Sequence, residues 1–385
     1  MRVLMFTTDY LPNIGGVAVH VHELAKAMCG AGHDVTVLTN VPDGDATISS
    51  ADSPGVLRVS EQLRWLPVSK ARRLQFAMNL IPLTFRDLQD YDFIHFHTVD
   101  PLSRMLSPLW GRWPQIATNH TSMFVADSSD PQRVVPWQRF FRRMDGVLAP
   151  SRELESLTAA VTGTPEKVRY IPNGVDAAKF NPEISGQLCR ERYGVKREEK
   201  LILCARRLVH KNGCVLLARA LRNVFETEPS ARVLFVGDGP ERGQVEKELE
   251  AAGCLHRALF AGSVPNSDMP AVYAAGDVVV VPSLMEATSI SVLEAMATAR
   301  PVVAHRIGGL PALIEDAETG LLVESGDEEG LAAAICALLA DRDQRTHMGA
   351  KARSRVLEQF TWDRIAASTV DACKTLLTQS TSRAA

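Results

Sequence analysis

Short uninterrupted apolar runs alternate along the chain with longer stretches whose apolar residues recur at three- and four-residue spacing. The first run, residues 2–7, ends in a turn-forming segment, DYLPNIGG. Behind it Val19, Leu24, Ala27 and Met28 fall at helical spacing, GAGH punctuates the chain, and a second run covers residues 35–38. This is the strand–loop–helix–strand unit that builds parallel sheets. Phe93–Phe96, Gln115–Thr118 and Gly146–Ala149 read as further strands, and Tyr170 and Ile171 lead into PNGVD, a turn cluster placed as a domain junction.

The rhythm then restarts. Residues 201–205, 233–236, 258–261, Val278–Val281 and 302–304 are short strand candidates separated by helical segments rich in Ala, Leu and Glu. Runs that are continuously apolar, rather than alternating, predict sheets covered on both faces. Residues 327–339 and 362–377 predict helices, and the polar tail after Gln379 is expected to fray. The pattern predicts an α/β chain of two Rossmann-like, doubly wound domains facing a cleft, with ligands beyond the carboxyl ends of the strands.

Composition narrows this picture. A chain of 385 residues exceeds one ordinary core. At 46% hydrophobic and 23% charged it is ordinary for a globular protein, and a net charge of -3 leaves no global basic field for nucleic acid. No apolar run approaches the roughly 18 residues needed to span a bilayer, and the start lacks a cleavage pattern. The seven cysteines are dispersed without a CxxC pair, which predicts reduced thiols, a cytoplasmic setting and no structural zinc.

Four clusters carry candidate chemistry, each beside a plainer alternative. Gly15-Gly16-Val17 opens a helix, where backbone amides favour an anion, or it is an ordinary turn. Arg206, Arg207 and Lys211 follow a strand and suit a diphosphate, or are solvated loop charges. Glu286 and Glu294 lie in a loop and about a turn into the next helix, suited to sugar hydroxyls. The alternative there is a capping box of Ser291 with Glu294. His95, His97 and His120 sit at strand ends and could line a pocket, share a metal, or pack internally.

Taken in order, these clusters resemble the retaining glycosyltransferases of family 4, which have the GT-B fold. The resemblance runs through Gly15-Gly16-Val17, GHDVTVLT, His97, His120, APS, IPNGVD with Phe180, Arg207, Lys211, VGDGPE, the Glu286–Glu294 pair, RPVVAHRIGG and TGLLV. It implies transfer of a sugar from a nucleoside-diphosphate sugar, UDP-linked in first place and GDP-mannose second, with retention and without a metal or other cofactor. It implies catalytic roles for His120, Arg207, Lys211 and Glu286. Donor contacts fall to Gly16, Arg207, Lys211, Val264, Glu286, Thr288, Ser289, Ile290 and Glu294, with Glu294 on the ribose. The last helix should cross back to the first domain, giving domains of 1–172 plus 363–385 and 173–362, acceptor-side and donor-side.

The chain also departs from the family pattern. Ala287-Thr288-Ser289 replaces Gly-Phe-Gly, Ala299 holds a common glycine position, Ala312 a common glutamate, and Asn212 the usual lysine position. The acceptor is open among a glycan, a lipid-linked sugar and a small molecule. Residues 63–82, with Trp65, Lys70, Arg72 and Arg73, and WQRFFRR at 137–143 suit either peripheral contact with an anionic inner membrane face or half-buried helices. The rival functions are a non-catalytic nucleotide-sugar sensor or scaffold, and a GT-B epimerase or phosphorylase. A suitable residue at every charged donor-contact position favours the transferase.

Overall fold

A computed structural model describes residues 1–11, 15–40, 55–59 and 90–384; the basic stretch at 63–82 lies outside them. Two compact units make up the chain, residues 1–173 with 362–385 and residues 174–361.

The first unit is built on seven strands: β1 Arg2–Phe6, β2 Asp34–Asn40, β3 Gly55–Val59, β4 Phe93–Phe96, β5 Gln115–Thr118, β6 Gly146–Ala149 and β7 Val168–Tyr170. They pair in the order β3-β2-β1-β4-β5-β6-β7, all parallel. Every residue of β4, β5 and β6 is buried, so both faces of the sheet are covered. On one face the helix Gly16–Gly30 inserts Val21, Leu24, Ala25 and Met28, spaced three, four and seven apart, against Val3 and Met5. The same cluster takes in Ile365, Val370, Cys373 and Leu376 of the last helix, Trp362–Ala384. Gly146 is required there, because a Cβ would lie 2.5 Å from Leu376 Cδ1.

The second unit holds β8 Lys200–Ala205, β9 Ala231–Val236, β10 Ala258–Gly262, β11 Val278–Val281, β12 Val302–His305 and β13 Gly320–Val323. Their order is β10-β9-β8-β11-β12-β13, again all parallel. Successive residues of β8 divide between two cores. Leu201 and Leu203 pack with Val292, Met296 and Phe360, while Ile202 and Cys204 pack with Leu217, Leu221 and Ile335. In both sheets the chain winds outward in both directions from a central pair, β1/β4 and β8/β11, which makes each pair a topological switch point.

The tail beyond Gln379 does not fray. Helix continues to Ala384, and the Ser380 hydroxyl donates to Asp145. All seven cysteines are free thiols. Among the described residues no helix is long and apolar enough to cross a membrane. In the helix Val134–Arg143, Trp137, Phe140 and Phe141 are buried, so the aromatic part of WQRFFRR belongs to the core.

Candidate functional site

Each unit carries its own cluster of candidate residues at its sheet's switch point. On the second unit the loops leaving β8 and β11 meet around Arg206. Its guanidinium is nearly enclosed, with the side chain 12% exposed. One terminal nitrogen donates to Asn212 Oδ1 at 2.9 Å, to Ser283 Oγ at 2.9 Å and to Glu286 Oε2; the other donates to Ser289 Oγ at 3.3 Å and Ser291 Oγ at 3.2 Å. Burial works against this charge, but Glu286 outweighs it and holds the guanidinium above its ordinary pKa. Ser283 Oγ also donates to Glu286 Oε2, at 3.2 Å. Glu286 thus reaches the pocket already oriented by a cation and a hydroxyl.

Backbone geometry brings these loops together. Gly213 adopts φ +67, and a Cβ there would lie 1.8 Å from the Pro282 carbonyl oxygen, so only glycine allows the β8 loop to press against the β11 loop. The amides of Leu284 and Met285 both donate to the Lys211 carbonyl, at 2.8 and 3.1 Å.

The capping box does not form. The helix after β11 starts at Ile290, and its N-cap is Ser289, whose side chain makes no capping bond. Ser289 and Ser291 are instead turned to Arg206 and to each other, 2.9 Å apart. The first-turn amides are left without a side-chain acceptor, at the positive end of a helix dipole. Thr288 adds a buried hydroxyl that makes no hydrogen bond. Glu294 faces the Tyr273 hydroxyl. Burial, the largest influence, raises its carboxyl to about 7, against the lowering effects of Tyr273 and Lys179.

Arg207 and Lys211 are placed differently from Arg206. Both side chains are exposed and form no ion pair with a described residue, so their charge is available to a ligand. Asn212, at the usual lysine position, is buried and spans from Arg206 to the Arg207 carbonyl, 2.8 Å away. The resemblance passed over Arg206 in favour of its neighbour; the signal was the buried cation expected beside Glu286 once Asn212 had replaced lysine. Val264 is half-buried after β10, packed against the unit's core.

On the first unit, Gly16 is the first residue of its helix, and a Cβ there would meet nothing within 4 Å. The glycine is not needed for packing, and its effect is an open backbone at the helix terminus. Beside β4 and β5 lies a group of imidazoles. His97 Nδ1 is 3.3 Å from His120 Nε2, His95 Nε2 is 2.8 Å from Thr118 Oγ1, and His20 Nδ1 is 2.8 Å from Asn173 Oδ1. Burial depresses all four, His20 to about 4 and His95 to about 3, so the group is neutral at pH 7. His95 and His97 are both buried, His95 bonded to Thr118 and His97 to His120. His20, which no motif singled out, joins His97 and His120 with nitrogens within 4.8 Å, a spacing that also suits a metal.

The family comparisons agree along the chain. Residues 14–179 match Glycosyltransferase Family 4, and residues 187–355 match Glycosyl transferases group 1. The GDP-mannose-dependent alpha-(1-6)-phosphatidylinositol monomannoside mannosyltransferase of Mycobacterium tuberculosis is 28% identical, over 96% of this chain and 97% of its own. The D-inositol 3-phosphate glycosyltransferase of Xylanimonas cellulosilytica is 30% identical, over 93% and 91%. Two solved structures share the architecture. Sucrose-phosphate synthase from Thermosynechococcus elongatus has a TM-score of 0.82 at 22% identity, over 98% of this chain and 99% of its own. Anabaena HepE in complex with UDP and glucose has 0.80 at 21%, over 97% and 99%.

Proposed function

Because this chain belongs to the family 4 glycosyltransferases and has the GT-B fold, we propose that it moves a hexose from a nucleoside-diphosphate sugar to a hydroxyl acceptor, with retention of configuration. The observation that carries this is the Arg206–Glu286 pair at the carboxyl ends of β8 and β11, with two uncompensated cations, Arg207 and Lys211, beside it. Glu286 accepts from hydroxyls of the transferred sugar. Arg207 and Lys211 neutralise the diphosphate as it leaves, and the open amides at Ser289 and Ile290 take up its oxygens. Arg206 is a positioning residue, holding the Glu286 carboxylate in one orientation. Glu294 accepts from the ribose. Neutral His120 donates to or accepts from the sugar or acceptor on the first unit. With this charge balance supplied by side chains, the reaction proceeds without a catalytic metal.

GDP-mannose use in the mycobacterial relative supports a guanine donor, whereas UDP in HepE supports the uracil donor expected from sequence. The relatives' inositol-bearing acceptors point to a polyol hydroxyl as acceptor. The test is turnover with a panel of GDP- and UDP-sugars, phosphatidylinositol mannoside and inositol phosphate as acceptors, and Glu286→Gln as the critical variant. Transfer should fall at least about 100-fold in that variant while nucleotide binding persists. Undiminished transfer would remove Glu286 from its role. A second function is favoured by one feature, the pre-neutralisation of Glu286 by Arg206: tight donor binding with no turnover on any acceptor would identify a sensor.

A further inference from the structure

At the opposite, amino-terminal ends of β8, β11 and β12 the second unit carries an open cavity of about 790 Å³. Six residues of β8 separate it from the Arg206 cluster, about 20 Å at strand rise. Seven cationic side chains line it against three carboxylates. Two of the cations are balanced: Lys200 pairs with Glu228 at 2.7 Å, and Arg190 reaches Asp277 at 3.3 Å. The other five, all arginines, form no ion pair with a described residue, although Glu198, Glu199 and Asp277 in the same lining offset part of their charge. Arg345 donates to the carbonyls of Leu338 and Leu339, at 2.6 and 2.8 Å, and Arg353 to those of Phe180, Ala297 and Ala177. Those bonds fix the groups without cancelling their charge. Arg300 has a buried Nε with no partner. Arg197 and Arg342 are exposed and form no ion pair with a described residue.

Arginines that clamp helix carbonyls are ordinary stabilisers, and that accounts for Arg345 and Arg353. It does not account for Arg197, Arg300 and Arg342 around the same concavity, where low-dielectric walls concentrate the field. The helix Arg342–Gln359 also begins at this cavity, its first turn capped by the Asp341 carboxylate and carrying Asp343, so the excess charge comes from the arginine side chains. We propose that the cavity is a second anion site, for a small molecule carrying several phosphate groups. Each phosphate brings about -1.5 to -2, so about two of them match the excess of cationic over acidic side chains in the lining. Planar forks fixed by carbonyl bonds present their remaining N–H groups to phosphate oxygens in bidentate fashion. The ligand is a free polyphosphorylated metabolite or a phosphorylated lipid headgroup, which share this chemistry. The site does not depend on the transferase assignment.

The probe is inorganic tripolyphosphate, titrated calorimetrically into the full chain at low salt after saturation with nucleoside diphosphate to fill the donor site. Wild type should bind it saturably. Arg197→Gln with Arg342→Gln should weaken binding at least tenfold, with unchanged melting temperature and unchanged nucleotide affinity. Arg300→Gln should do the same, and serves as the second variant if it folds. Absence of binding, or equal affinity in wild type and variants, overturns the proposal. Vesicles of phosphatidylcholine with 5% phosphatidylinositol bisphosphate then assign the source. Capture that is lost in the double variant means a headgroup, and tripolyphosphate binding without capture means a soluble ligand.

Discussion

Replacing Glu294 by glutamine should stabilise the protein at neutral pH while weakening its hold on nucleotide. The carboxyl is raised from 4.5 to about 7 by burial. Between those values the folded state holds a proton that the unfolded chain has lost, so stability falls as pH rises through the window and levels off above it. At 1.36 kcal/mol per unit, the shift is worth about 3 kcal/mol, reduced to about 2 because the residue keeps some contact with solvent. Glutamine preserves shape and a partner for the Tyr273 hydroxyl, yet never ionises. Glu294→Gln should therefore gain about 2 kcal/mol over wild type at pH 8 and nothing at pH 4.5, a melting shift of roughly 4–8 °C at the higher pH. Urea unfolding followed by far-ultraviolet circular dichroism at several pH values measures this. Tryptophan fluorescence is an internal control, since Trp65, Trp110, Trp113, Trp137 and Trp362 all lie outside the second unit. A stability difference that does not change with pH would mean that Glu294 ionises normally, and the desolvated carboxylate would have to be abandoned.

The tryptophan signal should show the opposite trend in wild type. His20 and His95 are depressed to about 4 and about 3, so the unfolded chain binds protons first and the first unit loses stability as pH falls below 6.5. Fluorescence-detected urea midpoints that stay level from pH 7 to 4.5 would contradict the buried imidazole group. Ala299 adopts φ +54, a left-handed conformation costly for a residue with a Cβ. Ala299→Gly should raise stability by about 0.5–1 kcal/mol, read as a higher urea midpoint in circular dichroism; a lower midpoint would show that the strain is absent.

The strands that could be read from sequence were those buried on both faces. Val278–Val281 is an unbroken apolar run and Phe93–Phe96 is interrupted only by His95, and every residue of both is buried. β7, with one fully buried residue in three, and β13, with one in four, leave no such trace. The helix Arg342–Gln359 was also missed, since only Met348, Gly349, Ala352 and Val356 turn inward from a polar surface. Beyond the carboxyl ends of β8 and β11, motif spacing located Glu286 and the basic loop. It could not tell Arg206 from Arg207, because adjacent residues differ only in which way the loop turns them, and that turn depends on Gly213 meeting Pro282. The Ser291–Glu294 box failed for a comparable reason: a helix starting at Ile290 puts Ser291 inside its first turn, where Arg206 claims the hydroxyl.

The return of the helix Trp362–Ala384 to the first unit bears on how the protein is made. The second unit is one unbroken stretch of chain and can close as soon as it clears the ribosome. The first unit is split, and the apolar stripe of Val21, Leu24 and Met28 has no complete cover until Ile365, Val370 and Leu376 have been synthesised. At about 5–20 residues per second, the 361 residues before that helix keep the stripe waiting for many seconds. The order of emergence and the order of completion are thus reversed, with the second unit finished first. During that interval the apolar stripe of the first helix lacks its final cover.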